Sequence, residues 1–237
     1  MSTILVVDPV VLPDGETEEP YLASVKADDT VIRFVSLPSG PLSIETFYDE
    51  AVAVAGMLPL IATSSFGCDA VVVDCMADPG VRAVRELVDM PVTGPAEASV
   101  ALAMQLGHSF AIVTIFDNGG PWTELQVRAM GVESRLAAAV GVDVPVLELE
   151  TDLEKTTHLL LDAARNCVEQ RGADVIILGC TGMLPVVEAL RASLDVPVIE
   201  PLAAAFKTAE MLARLGLTHS HRGLYRRPDP GKHLKHR

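Results

Sequence analysis

The stretch Gly67-Cys-Asp-Ala-Val-Val-Val-Asp-Cys75 is repeated later in the chain as Gly172-Ala-Asp-Val-Ile-Ile-Leu-Gly-Cys180. In both copies an Asp follows the first Gly by two residues, an apolar run comes next, and a cysteine closes the segment. Each copy is followed by a second related segment, Asp89-Met-Pro-Val-Thr-Gly-Pro95 in the first and Asp195-Val-Pro-Val-Ile-Glu-Pro201 in the second. The matches keep an offset of 105 to 106 residues, which predicts two copies of one structural unit.

Short apolar runs alternate with longer helical stretches along the whole chain, a pattern typical of buried parallel strands in βαβ units. We predict strands at 2–8, 30–35, 69–74, 91–93, 110–115, 143–148, 174–179 and 197–200. We predict helices at 44–64, 79–89, 96–106, 121–130, 152–171, 184–193 and 202–215. The predicted fold class is α/β, with two pseudosymmetric lobes that each hold a small, mostly parallel sheet flanked by helices. Lobe one is expected at 1–95 plus 208–237 and lobe two at 96–207.

The charge distribution limits the partners that this chain can have. The net charge of the 237 residues is −14, but residues 218–237 carry six Lys or Arg against one Asp, so the body before them is near −19. An acidic body disfavours a nucleic acid or an anionic membrane as partner. We therefore expect a small-molecule substrate, no nucleic-acid or membrane partner, and a basic tail at 218–237 that is partly disordered.

Several classes of protein are disfavoured by what the sequence lacks. The apolar start, Ile4-Leu-Val-Val7, is too short for the core of a signal peptide. Four cysteines without CxxC spacing favour a reduced, cytoplasmic protein over a disulfide scaffold or a zinc site. His219 and His221 have no nearby acid or cysteine that would complete a metal site. No GxSxG, GxxxxGK or GxGxxG motif occurs, which disfavours serine hydrolases, P-loop proteins and dinucleotide-binding proteins. We expect neither a metal nor a cofactor.

Cys75 and Cys180 each lie where a predicted strand ends and a helix is about to begin. Asp78-Pro79 after Cys75 is a favoured helix start, and Thr181-Gly182 lead from Cys180 into the next helix. Open α/β sheets bind ligands at the carboxyl ends of their strands. The N-terminus of a helix lowers the pKa of a nearby thiol, and its N–H groups can hold an oxygen that gains enolate charge. The pair therefore predicts a proton-transfer site, and the alternative is that both are small core residues.

Around these cysteines the sequence resembles the hydantoin racemase branch of the aspartate/glutamate racemase superfamily. The resemblance covers most of residues 40–217. It implies a cofactor-free racemase, an isomerase, with two pseudosymmetric lobes, the active site between them, and Cys75 and Cys180 as the two catalytic bases. The matching segments are Ser43-Ile-Glu-Thr-Phe-Tyr-Asp-Glu50, Asp74-Cys-Met-Ala-Asp-Pro-Gly80, Ala96-Glu-Ala98, Phe110-Ala-Ile-Val-Thr114 and Leu178-Gly-Cys-Thr-Gly-Met183.

The resemblance also implies which groups contact the substrate. Thr114 would lie near the substrate, and backbone groups would line the substrate oxygens at Met76, Ala77, Thr181 and Gly182. Two further residues are expected at the cleft from their positions in the sequence. Phe116 would form an apolar wall, with core packing as the alternative, and Glu200 would orient a thiol or a substrate N–H, with a solvated or capping acid as the alternative.

The end of the first strand departs from the family pattern. In the family this strand usually ends in Asn-Pro-Asn-Thr, whereas this chain has Asp8-Pro9-Val10-Val11. Asp8 would repel a carboxylate on the substrate, which favours an uncharged cyclic amide. The alternative for Asp8 is that it caps a neighbouring turn.

The leading hypothesis is a racemase of a small cyclic amide, such as a 5-substituted hydantoin, that uses two cysteines. One thiolate removes a proton from one face of the carbon, and the opposite thiol returns a proton to the other face. The alternatives within the superfamily are an amino-acid racemase of the aspartate/glutamate type, a maleate isomerase and an arylmalonate decarboxylase-like enzyme. An alternative of another class is a non-catalytic ligand-binding module. The superfamily resemblance also leads us to expect a homo-oligomer.

Overall fold

The computed structural model describes residues 1–12, 17, 19–115 and 119–229. The strands form two parallel four-stranded sheets, in the order β2-β1-β3-β4 and β6-β5-β7-β8. This confirms the predicted α/β class with two similar lobes. The strands are β1 (Ser2–Asp8), β2 (Thr30–Ser36), β3 (Ala70–Val73), β4 (Val92–Thr93), β5 (Phe110–Thr114), β6 (Leu136–Gly141), β7 (Val175–Leu178) and β8 (Val198–Ile199). The α-helices are α1 (Glu19–Val25), α2 (Phe47–Ser64), α3 (Val81–Leu87), α4 (Pro95–Leu106), α5 (Gly119–Ala129), α6 (Leu153–Arg171), α7 (Val187–Ser193) and α8 (Pro201–Arg214).

Each sheet is buried on both faces, which explains the uninterrupted apolar runs of its central strands. Successive side chains of a strand point to opposite faces. Ile4 and Val6 therefore belong to a core between the two lobes, whereas Leu5 and Val7 belong to the outer core of lobe one. Lobe two has an outer core of its own on the far face of its sheet.

The last helix of each lobe packs on the sheet of the other lobe. Helix α4 follows β4 of the first sheet but packs against β5 and β7 of the second. Helix α8 follows β8 of the second sheet but packs against β1, β3 and β4 of the first, and the two helices also pack against each other. The lobe boundaries at 1–95 plus 208–237 and 96–207 stay a prediction.

One predicted strand is wrong and one helix was not predicted. The strand expected at 143–148 lies instead at Leu136–Gly141. Asp143 adopts a left-handed backbone (φ 55°), and Val146–Glu148 form a 3-10 turn. Pro145, directly before this turn, has no N–H group to donate to a neighbouring strand. The true strand is rich in alanine, a residue depleted in strands, and for this reason the pattern did not indicate it. The sequence of the short helix α1 shows no clear helical periodicity of apolar residues.

The start of α3 also differs from the prediction. Asp78 does not cap this helix, which begins at Val81 after Gly80 in a left-handed conformation (φ 64°). The Asp78 carboxylate instead accepts the N–H groups of Ala96 and Glu97 (both 2.9 Å) at the start of α4. Gly94, the N-cap residue of α4, leaves the room for this carboxylate, because a Cβ there would collide with it.

The described part of the basic tail lies along lobe one. The His219 ring nitrogen accepts the N–H of Val92 on edge strand β4 (2.6 Å), and Arg85 donates to the Tyr225 hydroxyl (3.2 Å). Arg227 forms an ion pair with Asp89. Residues 230–237 lie outside the described part, and no described helix is both long enough and apolar enough to span a membrane.

Candidate active site

A cavity of about 280 Å³ lies between the lobes, at the carboxyl ends of the strands of both sheets. Loops that follow β1, β2 and β3 line it from lobe one, and loops that follow β5, β6 and β7 line it from lobe two together with α5. Open α/β sheets bind their ligands at this edge. A cavity of this size suits a small molecule.

The two cysteines of the sequence repeat both line this cavity. Cys75 follows the last residue of β3 by two positions, and Cys180 follows the last residue of β7 by two positions. The backbone N–H of Ala77 favours the thiolate of Cys75, and that of Gly182 favours the thiolate of Cys180. The two thiols thus have equivalent positions, and each has an N–H group two residues further along the chain that favours its thiolate.

The surroundings of the thiols raise their pKa values. Burial raises the pKa of Cys75 well above its ordinary value, with smaller contributions from Cys180, Asp8 and Asp74. Burial, with smaller contributions from Asp74, Asp8 and Glu45, raises the pKa of Cys180 to about 12. The prediction that helix N-termini lower the thiol pKa is therefore wrong, because removal from water outweighs the N–H groups that favour the thiolate.

Two carboxylates lie beside the thiols on lobe one. Asp8 ends β1, and the neighbouring Asp74 follows β3 and donates its N–H to the Val7 carbonyl oxygen (2.8 Å). Asp8 also accepts the N–H of Val10 (3.3 Å), so it both lines the cavity and holds the turn that was its predicted alternative. Asp74 is buried and was not predicted as a site residue, although its place directly before Cys75 was a signal.

The equivalent positions in lobe two carry no charge. Thr114 ends β5 as Asp8 ends β1, and its hydroxyl donates to the carbonyl oxygen of Gly179 (3.2 Å). Gly179 corresponds to Asp74, since its N–H donates to Val113 (2.7 Å) as that of Asp74 donates to Val7. A Cβ at Gly179 would lie 2.5 Å from the Thr114 Cβ. A side chain therefore does not fit at position 179 while Thr114 stays in place.

Polar contacts between the lobes border the cavity. Glu45, in the loop before α2, accepts the N–H of Val146 from lobe two (3.1 Å) and the hydroxyl of Ser43 (3.2 Å). On α5, Gln126 donates its side-chain N–H to the Met76 carbonyl oxygen (3.0 Å). These contacts fix the loops around the thiols. Glu45 lies in the segment 43–50 that resembles the family, but nothing in the sequence indicated that it would contact Val146.

Trp122 provides the large apolar surface of the site. It lines the cavity from α5 and packs on Phe47 at the start of α2, with 4.6 Å between ring centroids. Other apolar lining residues come from both lobes, among them Ile44 and Leu147. Trp122 is the single tryptophan of the chain, and this rarity was the signal that sequence reasoning did not use.

Most of the residues expected at the site do line the cavity. Besides the cysteines these are Asp8, Met76, Ala77, Thr114, Thr181 and Gly182. Phe116 lies outside the described residues. Glu200 does not line the cavity, because it is buried at the start of α8 and accepts the N–H groups of Leu202 (2.7 Å) and Ala203 (2.6 Å). The capping role that was its alternative is therefore the one that the structure shows.

Comparisons with known proteins agree with this architecture. The profile of the family described as Asp/Glu/Hydantoin racemase matches residues 19–209. The chain is 35% identical over 212 residues to a hydantoin racemase of Pseudomonas sp. (strain NS671), covering 89% of this chain and 85% of that protein. Its structure is similar to an allantoin racemase from Klebsiella pneumoniae, with a TM-score of 0.88, 31% identity, and coverage of 97% and 94% of the two chains. It is also similar to an allantoin racemase from Pseudomonas fluorescens, with a TM-score of 0.89, 28% identity, and coverage of 98% and 100%.

These similarities define a two-lobed α/β isomerase of the racemase class. The chain belongs to the Asp/Glu/hydantoin racemase family, as the resemblance of its cysteine segments predicted.

Proposed function

We propose that this racemase acts on a small cyclic amide, a 5-substituted hydantoin, and that Cys75 and Cys180 transfer the proton. The observation that carries the proposal is the presence of both thiols in one cavity, at equivalent ends of two equivalent strands. A carbon that is deprotonated on one face and reprotonated on the other requires two groups placed in this way. The names of the hydantoin and allantoin racemases to which the chain is similar support a hydantoin ring as the substrate.

In the proposed reaction the reactive form has one cysteine as thiolate and the other as thiol; because burial raises both pKa values, this form is a small fraction of the enzyme near neutral pH. The thiolate takes the proton from C5 of the ring, and the electron pair of the broken C–H bond moves into the adjacent carbonyl group to give an enolate. The opposite thiol then gives its proton to C5 from the other face, and the carbonyl group forms again. The configuration is inverted and the two cysteines have exchanged protonation states, so the same site accepts the other enantiomer in the reverse direction.

The electrostatic coupling of the thiols supports this division of roles. The charge of one thiolate raises the pKa of the other cysteine, as Cys180 does for Cys75. A coupled pair loses its first proton more readily than its second. The state with one thiol and one thiolate is therefore favoured over the state with two thiolates.

Backbone N–H groups are proposed to hold the enolate oxygen. Those of Ala77 and Gly182 are already directed to the sulfurs. We therefore assign the substrate oxygens to Met76 and Thr181, which line the cavity beside them, with Thr114 nearby. Donors fixed before the reaction stabilise a developing oxyanion without reorganisation.

The carboxylates of lobe one argue against the dicarboxylate alternatives. Asp8 lines the same cavity as the thiols, and Asp74 lies beside it with its carboxylate oxygens buried; like charges in a partly buried site repel strongly. Aspartate, glutamate, maleate and arylmalonates would each bring a carboxylate toward this pair. The presence of two thiols at equivalent positions in one cavity argues against a non-catalytic ligand-binding module, because binding alone requires no such pair.

Exchange of solvent deuterium into the substrate tests the proposal. Nuclear magnetic resonance would follow hydantoins, allantoin, aspartate, glutamate and maleate in D2O with the enzyme. We expect exchange at C5 of a hydantoin together with loss of optical activity. Exchange confined to the amino acids, isomerisation of maleate, or tight hydantoin binding without exchange would contradict the proposal.

We further propose that the enzyme works without a metal or cofactor, as a homo-oligomer in the reducing cytoplasm. The free thiols at Cys68, Cys75, Cys167 and Cys180 support a reducing compartment. Dialysis against a chelator should leave the rate of racemisation unchanged, and light scattering during gel filtration should give a multiple of the 25.2 kDa chain mass. A metal-dependent rate or a monomeric mass would contradict these two proposals.

A further inference from the structure

Among the described residues, the charged side chains that line the cavity all lie on one lobe. Asp8 and Asp74 come from adjacent strand ends, whereas the equivalent positions of lobe two hold Thr114 and Gly179. Among the described residues that line the cavity there is no Lys, Arg or His. The site is thus acidic on one side, and this asymmetry is not required by the symmetric pair of thiols.

Much of the remaining lining is apolar. Ile44 of lobe one and Trp122, Val146 and Leu147 of lobe two contribute aliphatic or aromatic surface. A lining with an apolar part and an acidic end suits a side chain that has an aliphatic stem and a positively charged head, since such chains bury the stem and keep the head with polar partners.

The field of the two carboxylates extends across the cavity. Both contribute to the raised pKa of Cys75 on their own lobe and to that of Cys180 on the opposite lobe. Each carboxylate also interacts with other parts of the protein. Charges in a partly buried site interact several times more strongly than in water. A charged substituent bound in the cavity will therefore interact strongly with Asp8 and Asp74.

We propose that Asp8 and Asp74 select the substrate by the charge of its ring substituent, favouring a cationic aminoalkyl or guanidinoalkyl chain and rejecting a carboxylate. The inference rests on the proposed function, because it assigns the substituent of the hydantoin. Rejection of the anion is as important as attraction of the cation, because specificity is a difference between two affinities.

A cationic substituent also has a consequence for the reaction itself. A positive charge beside Asp8 and Asp74 offsets the field that these groups exert on the thiols, so a larger fraction of thiolate forms in the complex. The preference is therefore expected in kcat/KM, in which both binding and the chemical step are measured.

The test compares three hydantoins of similar size with different charge: 5-(4-aminobutyl), 5-butyl and 5-(2-carboxyethyl) hydantoin. Racemisation is followed by chiral chromatography for the wild-type enzyme, Asp8→Asn and Asp74→Asn. We expect the wild-type kcat/KM to favour the cationic over the anionic substrate by roughly 100-fold. Each substitution should reduce this ratio about tenfold. The ratio within one variant is the readout, because a change in the common machinery affects both substrates alike.

A matched control removes one negative charge far from the cavity. Asp162, exposed on α6, does not line the cavity, and Asp162→Asn should keep the wild-type ratio. Asp8→Asn places at position 8 the residue that the family usually has there, so this variant is expected to fold. An unchanged ratio in a folded Asp8→Asn variant, or an equal loss for all three substrates, would overturn the proposal, since equal loss means that the carboxylates hold the ring rather than its substituent.

A second measurement separates this inference from the proposed function. If no hydantoin is racemised, the proposed function has failed, and calorimetric titration with the same three compounds still tests the charge preference. Tighter binding of the aminobutyl compound that is lost in Asp8→Asn would support the preference. Equal binding of the cationic and anionic compounds to the wild-type protein would overturn it.

Discussion

The two lobes hold the same reactive group in different electrostatic surroundings. Each thiol follows its strand by two residues, and the N–H group of the residue two further on favours its thiolate. Around Cys75 the adjacent strand ends add Asp8 and Asp74, whereas around Cys180 they add Thr114 and Gly179. The comparison teaches that the repeated backbone sets the reactive geometry, while residues that differ between the copies set the charge.

The helices that follow the edge strands differ in a second way. Helix α8 is capped by Glu200 at its own N-cap position, but α4 has Gly94 there and receives Asp78 from the Cys75 loop. Asp78 also donates its N–H to the Cys75 carbonyl oxygen (2.9 Å). The same need for a helix cap is therefore met in lobe one by a residue that also anchors the loop of Cys75.

The largest expected effect comes from removing either thiol. Cys75→Ala and Cys180→Ala should each lower racemisation by about 1,000-fold or more, because one face of C5 loses its proton donor and acceptor. Each variant should keep measurable deuterium exchange for only one enantiomer, and the two variants should keep opposite ones. Chiral chromatography and magnetic resonance in D2O measure both quantities.

Cys68→Ala is the matched control for the thiol variants. Cys68 is buried two residues before β3 and does not line the cavity, so this variant should racemise at the wild-type rate. If both thiol variants exchange both enantiomers, the opposed placement of the two groups is contradicted.

The raised thiol pKa values predict slow alkylation. At pH 8 iodoacetamide should modify Cys75 and Cys180 more than 100-fold more slowly than an ordinary cysteine with a pKa of about 8.5, and the rate should rise about tenfold per pH unit from 8 to 10. Mass spectrometry of tryptic peptides gives the rate at each site. Rapid labelling at pH 7 would show that the N–H groups outweigh burial in solution.

The two helix caps should separate stability from activity. Asp78→Ala and Glu200→Ala each remove a cap and should lower the free energy of unfolding by about 1–2 kcal/mol. Asp78→Ala should also lower kcat about tenfold, because it frees the Cys75 loop. Urea denaturation and racemisation assays measure the two effects. A similar loss of kcat in both variants would mean that Asp78 has no special role in positioning.

The last prediction concerns the pH dependence of stability. Burial raises the pKa of Asp78 to about 7, so between about pH 4 and pH 7 the folded state binds more protons than the unfolded state, and its stability falls as pH rises. The difference in unfolding free energy between the wild type and Asp78→Asn should therefore decrease across this window, by at most about 1.4 kcal/mol per pH unit. Urea denaturation from pH 4 to pH 8 measures it, and a difference that increases with pH would contradict the raised pKa.

The sequence predicted the site better than it predicted the environment of the site. Cys75 and Cys180 were placed together because each ends an apolar strand, and parallel strands end at one edge of a sheet. Thr114 and Asp8 were placed near them by the resemblance to the family. The predicted direction of the thiol pKa shift was wrong, because the shift depends on how completely the assembled lobes exclude water from the thiols. The contact between Glu45 and Val146 joins residues 101 positions apart, and no local pattern indicates it.

The crossing of α4 and α8 is what a dimer of half-length chains would form by exchanging its C-terminal helices. In such an ancestor the two copies would be identical, so any acid near one thiol would also stand near the other. In the present chain the two copies differ, with Asp8 and Asp74 beside one thiol and Thr114 and Gly179 beside its partner. The two sides of this cavity are therefore chemically different, although the backbone that carries them is repeated.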